Sequence, residues 1–393
     1  MKAKLVNILI YAFFLHNILF FISPDLMYEE SWIKLLKYFI LASFFILEIG
    51  SIKMSRLITY VFMVCVFSLL YVFSCSYSLT FKDFAVKILP YAAPASIFLL
   101  FDGLRKCNWE KLIRVITYLS IITCFIEYFF FKHLIWYFNF MSTEGFYRAV
   151  SIFFNPNNAG VMFFLMFYYY CFVKMIKHGD ISFENSLICI LLMVCIIFTS
   201  SKTPLVLVPL SMILFICFKN FKLSRRWVSV FQRTIITLCV LAVLTIPIFL
   251  ISDKSLFFIR EITIETGTQR FDQIIVFFDK LSKNFLYPNY NLPRGEIVDN
   301  TYIQLWIDFG FLGMLLFLAC FLMPLIKKRR ICLYGFTAIL LLLISGLTLN
   351  VFYLLPTAYV FWYIIFQESY IHKPIKIHHR TDDFKIQEGI YHL

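Results

Sequence analysis

Polar side chains that could carry chemistry collect in the stretch from Arg294 to Leu318, where a charged segment runs directly into an apolar run. Arg294, Glu296, Asp299 and Asn300 lie within seven residues. A carboxylate can take a proton from a hydroxyl group, and an arginine can bind phosphate oxygens through two parallel hydrogen bonds. These residue types favour group transfer at the start of a helix. They also suit a plain interfacial loop with a helix cap, because Asp and Asn cap helices well.

The composition places this stretch in a membrane protein. The chain is 61% hydrophobic and only 15% charged, with 49 Phe among 393 residues, and its mean hydropathy is +0.82. A water-soluble globule does not have this composition. The formal charge of +13 would suggest nucleic acid in a soluble protein, but here the Lys and Arg lie mostly between apolar runs. They are therefore interpreted as topology signals, and no nucleic-acid partner is expected.

The apolar runs predict an all-α, polytopic membrane protein with about twelve transmembrane helices, since a bilayer core of about 30 Å needs about 20 residues of helix. The sequence predicts a single membrane domain, residues 1–393, and shows no internal repeat. The predicted spans are residues 5–22, 32–49, 56–74, 83–101, 112–131, 159–176, 186–200, 203–218, 234–252, 302–325, 332–349 and 350–367.

The basic residues predict the orientation. With a cytoplasmic amino terminus, Lys and Arg fall in every second loop and in the polar tail at 367–393, as the positive-inside rule requires. Both termini are then cytoplasmic. A long loop at 251–300, a medium loop at 131–158 and a short turn at 200–203 all face the outside. Loops as long as 251–300 are usually functional or disordered.

The polar residues on this external face have more cations than acids. They are Arg148, Asn155, Asn157, Asn158, Ser200, Ser201, Lys202, Arg270, Arg294, Glu296, Asp299 and Asn300. Several permanent cations at the mouth of a membrane protein suit the phosphate or pyrophosphate of a lipid head group. The set therefore predicts group transfer from a lipid-linked donor.

Simpler interpretations exist for single residues of the set. Arg270 suits an exposed ion pair with Asp272, and exposed pairs contribute little to stability. Asn155 and Asn157 in NPNN suit a turn. Lys202 lies between two apolar helices, where a cation is expensive and a functional role is favoured over a mere helix break.

Several familiar catalytic motifs are missing from the sequence. The external segments contain no DxD-like metal motif, and the chain contains no HExxH, GxSxG or phosphate-binding glycine loop. The sequence thus offers no motif for a metal or a cofactor, and the family resemblance described below implies that none is needed. The loop at 251–300 contains no His, so a general base in that loop must be a carboxylate.

The motifs in their order resemble a known superfamily. RxxSxFFNPNNAG at Arg148 to Gly160 is followed by TSSKT from Thr199, QRFD from Gln269 and DNTYIQxxxxxGxxG from Asp299. This order and spacing resemble the O-antigen polymerase and O-antigen ligase superfamily, the Wzy-type and ligase-type membrane glycosyltransferases. The resemblance extends over residues 140–325.

The resemblance implies a helical membrane glycosyltransferase of the GT-C-like class in the bacterial cytoplasmic (inner) membrane. Its substrates would be undecaprenyl pyrophosphate-linked glycans on the external face, with membrane lipids around it and a chain-length regulator as protein partner. Basic residues would hold the pyrophosphate, with Lys202 in the place of an Arg found in many relatives and Arg270 at the basic position of the long loop. Asp299, or its rival Glu296, would activate the acceptor.

Three other functions compete with the polymerase. Ligase-type members typically have His where this chain has Asp299, and this difference favours an O-antigen or capsular polymerase over a ligase acting on lipid A core. A flippase or other transporter should place its polar groups near mid-membrane. A purely structural or regulatory membrane protein would not need to gather Arg148, Lys202 and Arg270 on one face.

Overall fold

The structure is a computed structural model of the chain. It describes residues 2–16, 18, 31–74, 88–89, 91–93, 95–96, 99–100, 104, 107–130, 148–153, 156–218, 301–326 and 333–346. These residues form helices and connecting turns, with no β-strand among them. The predicted loop at 251–300, the predicted tail at 367–393 and the predicted spans at 234–252 and 350–367 lie outside this part.

Nine α-helices follow one another in the described part of the chain. They are α1 (Lys2–Leu15), α2 (Ser31–Glu48), α3 (Met54–Ser74), α4 (Trp109–Phe130), α5 (Pro156–Tyr168), α6 (Phe183–Thr199), α7 (Lys202–Phe218), α8 (Thr301–Ile326) and α9 (Leu333–Ser345). A π-helix, Tyr169–Lys177, continues α5. A short 3₁₀ turn, Ile49–Ser51, follows α2.

The helices are those of a membrane-embedded protein. Met54–Val72, Trp109–Phe130 and Pro156–Lys177 are each long and apolar enough to cross a bilayer, and shorter apolar helices surround them. Large apolar side chains also point outward, including Phe39 at 66% exposure and Phe62 at 61%. Apolar surface of this extent suits contact with lipid rather than water. The predicted helical class is thereby confirmed for the described residues, and their apolar helices agree with a membrane-embedded protein.

Polar side chains and one left-handed residue set the helix ends. The Asn108 side chain accepts a hydrogen bond from Lys111 N–H at 3.1 Å and caps the start of α4. The Ser182 hydroxyl accepts one from Asn185 N–H at 3.1 Å and caps α6 in the same way. Ser200, with φ 49° and ψ 28°, ends α6 in the left-handed conformation typical of helix ends.

Helix α5 is the centre of the described bundle. Nearly all its side chains are buried, as expected for a helix with neighbours on every side. It packs against α4, α6 and α7, while α7 packs against α9 and α3 packs against α8. The apolar contacts between these helices fix the positions of their polar ends, where the candidate site lies.

Helix α8 is interrupted at Gly310. This residue has φ 72° and ψ 174°, a conformation that is essentially restricted to glycine. Residues 301–309 and residues 311–326 therefore form two helical segments, which we call the first and second segments of α8. Both pack on α3, because the Phe67 ring lies 4.7 Å from the Phe309 ring and 6.0 Å from the Phe317 ring.

Candidate functional site

The segment 148–153 lies against the end of α6, just before α5 begins. The Ala149 N–H donates a hydrogen bond to the Phe198 carbonyl oxygen at 2.9 Å. Ala149, Val150 and Ile152 have no exposed surface. The segment is therefore an integral part of the packed bundle, and its first residue, Arg148, has a fixed position at the polar end.

The Arg148 guanidinium connects three parts of the chain. Its Nε donates to the Thr199 carbonyl oxygen at 3.0 Å, and its Nη2 donates to the Asn157 Oδ1 at 2.8 Å. The same Nη2 lies 3.5 Å from the Ser200 carbonyl oxygen. The left-handed turn at Ser200 exposes the two carbonyls that receive these bonds. Arg148 thus joins its own segment to the start of α5 and to the turn between α6 and α7.

Asn157 and Ser201 complete the connection. The Ser201 hydroxyl donates to the Asn157 Oδ1 at 3.2 Å, so this oxygen accepts hydrogen bonds from both Arg148 and Ser201. The Ser201 N–H donates to the Thr199 hydroxyl oxygen at 3.3 Å. We call Arg148, Asn157, Thr199, Ser200, Ser201 and Lys202 the arginine cluster.

The arginine cluster lies where the N-termini of α5 and α7 approach each other. A Cβ atom added to Gly160 would lie 2.7 Å from the Pro204 Cγ and 2.9 Å from the Ser201 Cβ. The absence of a side chain at Gly160 permits this approach. Helix N-termini carry partial positive charge and present backbone N–H groups, and they bind anions readily.

The cations in the arginine cluster favour an anionic ligand. Lys202, which is half-buried, is the first residue of α7. A cation at a helix N-terminus is disfavoured by the helix dipole. Lys202 and Arg148 therefore add positive charge near two positive helix ends, and this charge favours binding of an anion such as phosphate.

Glu127 holds the backbone that follows Arg148 in the arginine cluster. The sequence analysis did not identify this residue. It lies in α4 with no exposed surface. Its Oε1 accepts a hydrogen bond from Val150 N–H at 2.9 Å, and its Oε2 accepts one from Ser151 N–H at 2.5 Å. Ser151 has φ 53°, and successive N–H groups beside such a residue form a small anion-binding concavity. The Glu127 carboxylate occupies this concavity.

Two contacts of the Ser151 hydroxyl with α4 add to the same anchor. The Ser151 hydroxyl donates to the Ser120 carbonyl oxygen at 2.9 Å and lies 2.8 Å from the Thr123 hydroxyl oxygen. A carboxylate inside an apolar helix was the signal that could have identified Glu127, because ionisable groups at such depth are expensive and need partners.

Helix α8 begins at the same end of the bundle. The Thr301 N–H donates to the Gly346 carbonyl oxygen at 2.8 Å, just after α9 ends. The Tyr302 hydroxyl donates to the Leu343 carbonyl oxygen in α9 at 2.6 Å. Side chains of α5, α7 and the end of α9 line one apolar gap, including Val161, Leu207 and Ser345. The first residue of α8 therefore lies on the side of the bundle that carries the arginine cluster.

The structure brings three of the predicted site residues together. Arg148 and Asn157 are hydrogen-bonded, and Lys202 directly follows Ser201, which bonds the same Asn157 oxygen. The remaining predicted site residues lie outside the described part of the chain. They are Asn155, Arg270, Arg294, Glu296, Asp299 and Asn300.

Metal ligands are not grouped in the described part of the chain. No three His, Cys, Asp or Glu side chains there are arranged to hold a metal ion. Comparison of the whole chain with protein-family models and with curated protein sequences gave no match.

Proposed function

We propose that this protein is a membrane glycosyltransferase that joins lipid-linked oligosaccharide repeat units into a polysaccharide. Its substrates would be undecaprenyl pyrophosphate-linked glycans of the O-antigen or capsular type, on the external face of the bacterial cytoplasmic membrane. The observation that carries the proposal is the arginine cluster, in which Arg148 and Lys202 lie at two converging helix N-termini. The motif order RxxSxFFNPNNAG, TSSKT, QRFD and DNTYIQ, which resembles that of the O-antigen polymerase and ligase superfamily, supports the proposal.

The arginine cluster would bind the pyrophosphate of the growing glycan. Arg148 and Lys202 supply positive charge there. Arg270 and Arg294, in the predicted external loop at 251–300, would add to it. Donors that are held in place before the reaction stabilise developing negative charge most effectively, because they need no rearrangement as the bond breaks. Arg148 meets this condition, since its contacts with Thr199 and Asn157 hold the guanidinium in place.

The acceptor would be a hydroxyl group at the non-reducing end of a new lipid-linked repeat unit. Asp299, with Glu296 as the alternative, takes the proton of this hydroxyl, whose oxygen attacks the anomeric carbon of the growing chain. The new carbon–oxygen bond forms as the bond from the anomeric carbon to the phosphate oxygen breaks, with inversion. The leaving undecaprenyl pyrophosphate carries away the negative charge, and the growing chain is transferred to the new unit.

Asparagine side chains would orient the substrates. Asn300, next to Asp299, and Asn155, next to Pro156, have both a donor and an acceptor for sugar hydroxyls. Asn157 already accepts hydrogen bonds from Arg148 and Ser201. We therefore assign Asn157 the role of holding the cluster rather than that of binding sugar.

The polar residues favour a transferase over a transporter. A transporter should gather its substrate-binding groups near the middle of the membrane. The arginine cluster instead lies at the ends of α5, α6 and α7. A site at helix ends suits a reaction between two lipid-anchored substrates whose sugars lie outside the membrane.

Glycan electrophoresis tests the proposal in the source strain. A strain without the gene is complemented with the wild type, Asp299→Ala, Glu296→Ala or Arg270→Ala, and membrane levels are compared by immunoblot. A polymerase predicts loss of the ladder in the deletion strain, with one repeat unit left on the lipid core. Accumulation of long lipid-linked polymer with no repeat on the core would instead identify a ligase. An unchanged ladder in the deletion strain would exclude both activities.

A further inference from the structure

Another buried carboxylate lies in α8, away from the arginine cluster. Asp308 is 7% exposed. The Tyr91 hydroxyl donates a hydrogen bond to the Asp308 Oδ2 at 2.6 Å, and the Gln304 Nε2 donates to the same oxygen at 3.0 Å. Tyr91 belongs to the predicted fourth span, so the Asp308 carboxylate joins α8 to a different part of the bundle.

The hydrogen bond between Tyr91 and Asp308 matters because Asp308 lies close to the interruption of α8. Asp308 lies two residues before Gly310, where the helix is interrupted. In an unbroken helix, residues 301–309 would share the helix axis of residues 311–326. The break removes this constraint, so the contacts of the first segment must set its orientation.

These contacts lie at both ends of the first segment. At its start, Thr301 and Tyr302 bond to carbonyl oxygens at the end of α9, at 2.8 Å and 2.6 Å. At its end, Asp308 accepts the bond from Tyr91, and the Phe309 ring lies 4.7 Å from the Tyr91 ring. A helix of nine residues is only about 13 Å long, so contacts at both of its ends restrict its orientation.

We propose that Asp308 is a positioning residue for glycosyl transfer. Through its bond with Tyr91 it orients the first segment of α8, which begins directly after Asp299 and Asn300 in the sequence, and glycosyl transfer depends on that orientation. This inference rests on the proposed function. It goes further by assigning a role in the reaction to a contact within the helices, nine residues along the chain from Asp299.

The kinetic test uses Asp308→Asn, Tyr91→Phe and the double variant in the full-length protein, reconstituted with lipid-linked repeat units from a strain lacking the gene. We expect kcat to fall about ten- to a hundredfold with KM nearly unchanged, because small displacements of a catalytic group cost rate rather than binding. Because Asp308→Asn weakens the bond that Tyr91→Phe removes, the double variant should be no slower than the slower single variant. Glu48→Gln is the matched control, since Glu48 is also a buried carboxylate, which accepts a bond from the Ser51 hydroxyl at 2.5 Å. It should leave kcat unchanged.

A second readout needs no activity. Asp299→Cys is labelled with a membrane-impermeant maleimide, with and without Asp308→Asn or Tyr91→Phe, and the chain lacking the added thiol gives the background. The inference predicts that Asp308→Asn changes the labelling rate at position 299 while Glu48→Gln does not.

The two readouts separate failure of the inference from failure of the proposed function. If the wild type forms no polymer but Asp308→Asn changes the labelling, the proposed function fails and the orienting role stands. If the folded Tyr91→Phe and Asp308→Asn proteins both keep wild-type kcat and wild-type labelling at position 299, the inference is overturned, because Tyr91→Phe has no hydroxyl to donate. A variant with a lower unfolding temperature but normal kcat per folded molecule would also overturn it, because Asp308 would then be purely structural.

Discussion

Arg148 donates a hydrogen bond to the Asn157 side chain at 2.8 Å, and the same Asn157 oxygen accepts a second hydrogen bond from the Ser201 hydroxyl at 3.2 Å. Two segments that are more than forty positions apart in the sequence therefore meet on one oxygen atom. This contact fixes a cation at the point where the N-termini of α5 and α7 converge. Predictions about the site follow from it.

Replacing Arg148 by Lys tests whether the shape of the guanidinium matters beyond its charge. A lysine ammonium is a compact point charge and cannot reproduce the planar contacts to Thr199 and Asn157. We expect Arg148→Lys to abolish most of the polymer ladder and to lower the free energy of unfolding by about 1–3 kcal/mol. Glycan electrophoresis and thermal unfolding of the purified protein measure the two effects.

The control for this variant is Arg114→Lys. Arg114 forms an ion pair with Glu184 in which the two side chains are 50% and 45% exposed. Exposed pairs contribute little, so the ladder and the unfolding temperature should not change. A wild-type ladder from Arg148→Lys would contradict the role of the guanidinium.

Replacing Glu127 by Gln tests the anchor beneath the cluster. The glutamine amide has one acceptor oxygen, so one of the Val150 and Ser151 N–H groups loses its partner in a buried place. We expect a loss of about 1–3 kcal/mol in the free energy of unfolding, the typical cost of one unsatisfied buried donor. Thermal or denaturant unfolding of the detergent-solubilised protein gives the value.

Glu110→Gln is the matched control on the same helix. The Glu110 side chain is 65% exposed and pairs with Lys174 at 2.6 Å, so its replacement should have little effect on stability. Equal unfolding temperatures for Glu127→Gln and Glu110→Gln would show that the buried carboxylate does not anchor residues 150–151.

Replacing Gly160 by Ala tests the close approach of α5 and α7. The added methyl group would meet Pro204 at 2.7 Å, Ser201 at 2.9 Å and the Thr199 hydroxyl oxygen at 3.0 Å. Overpacking of this kind typically costs about 1–3 kcal/mol, and the displacement of Ser201 should also weaken polymer formation. Gly50→Ala is the control, because no atom lies within 4 Å of its added Cβ. If the two variants are equally stable and equally active, the approach of the two N-termini is not needed.

Removal of metal ions tests the expectation that basic side chains of the protein stabilise the pyrophosphate without a metal ion. The superfamily resemblance implies that no metal is required, so polymer formation by the purified protein should survive excess EDTA. EDTA saturated with magnesium controls for effects of the chelator itself. Loss of activity in EDTA that magnesium or manganese restores would contradict the expectation.

The positions of the helices could be predicted from the sequence because bilayer thickness sets the length of an apolar run. The predicted span 112–131 corresponds to α4, Trp109–Phe130, and 302–325 corresponds to α8, Thr301–Ile326. The interruption at Gly310 was not predicted. Glycine is common in membrane helices, and the sequence does not show which glycine takes a positive φ.

The sequence predicted which residues belong to the candidate site but did not predict the hydrogen bonds between them. The alternation of basic loops predicted that Arg148, Asn157 and Lys202 share one face, and the structure groups the first two directly. The Arg148 bonds to backbone carbonyls depend on the left-handed turn at Ser200, which has no signature in TSSKT. Glu127 was missed because its partners are backbone N–H groups, so no complementary cation in the sequence pointed to it.

The most direct test of the central claim uses the purified full-length protein in lipid nanodiscs with a single lipid-linked repeat unit as the only substrate. The wild type should produce molecules of two and more repeats together with free undecaprenyl pyrophosphate, and Asp299→Asn should produce neither, or Glu296→Asn if Glu296 is the base. Failure of the folded wild type to join any repeat units under these conditions would contradict the assignment of this chain as a polysaccharide polymerase.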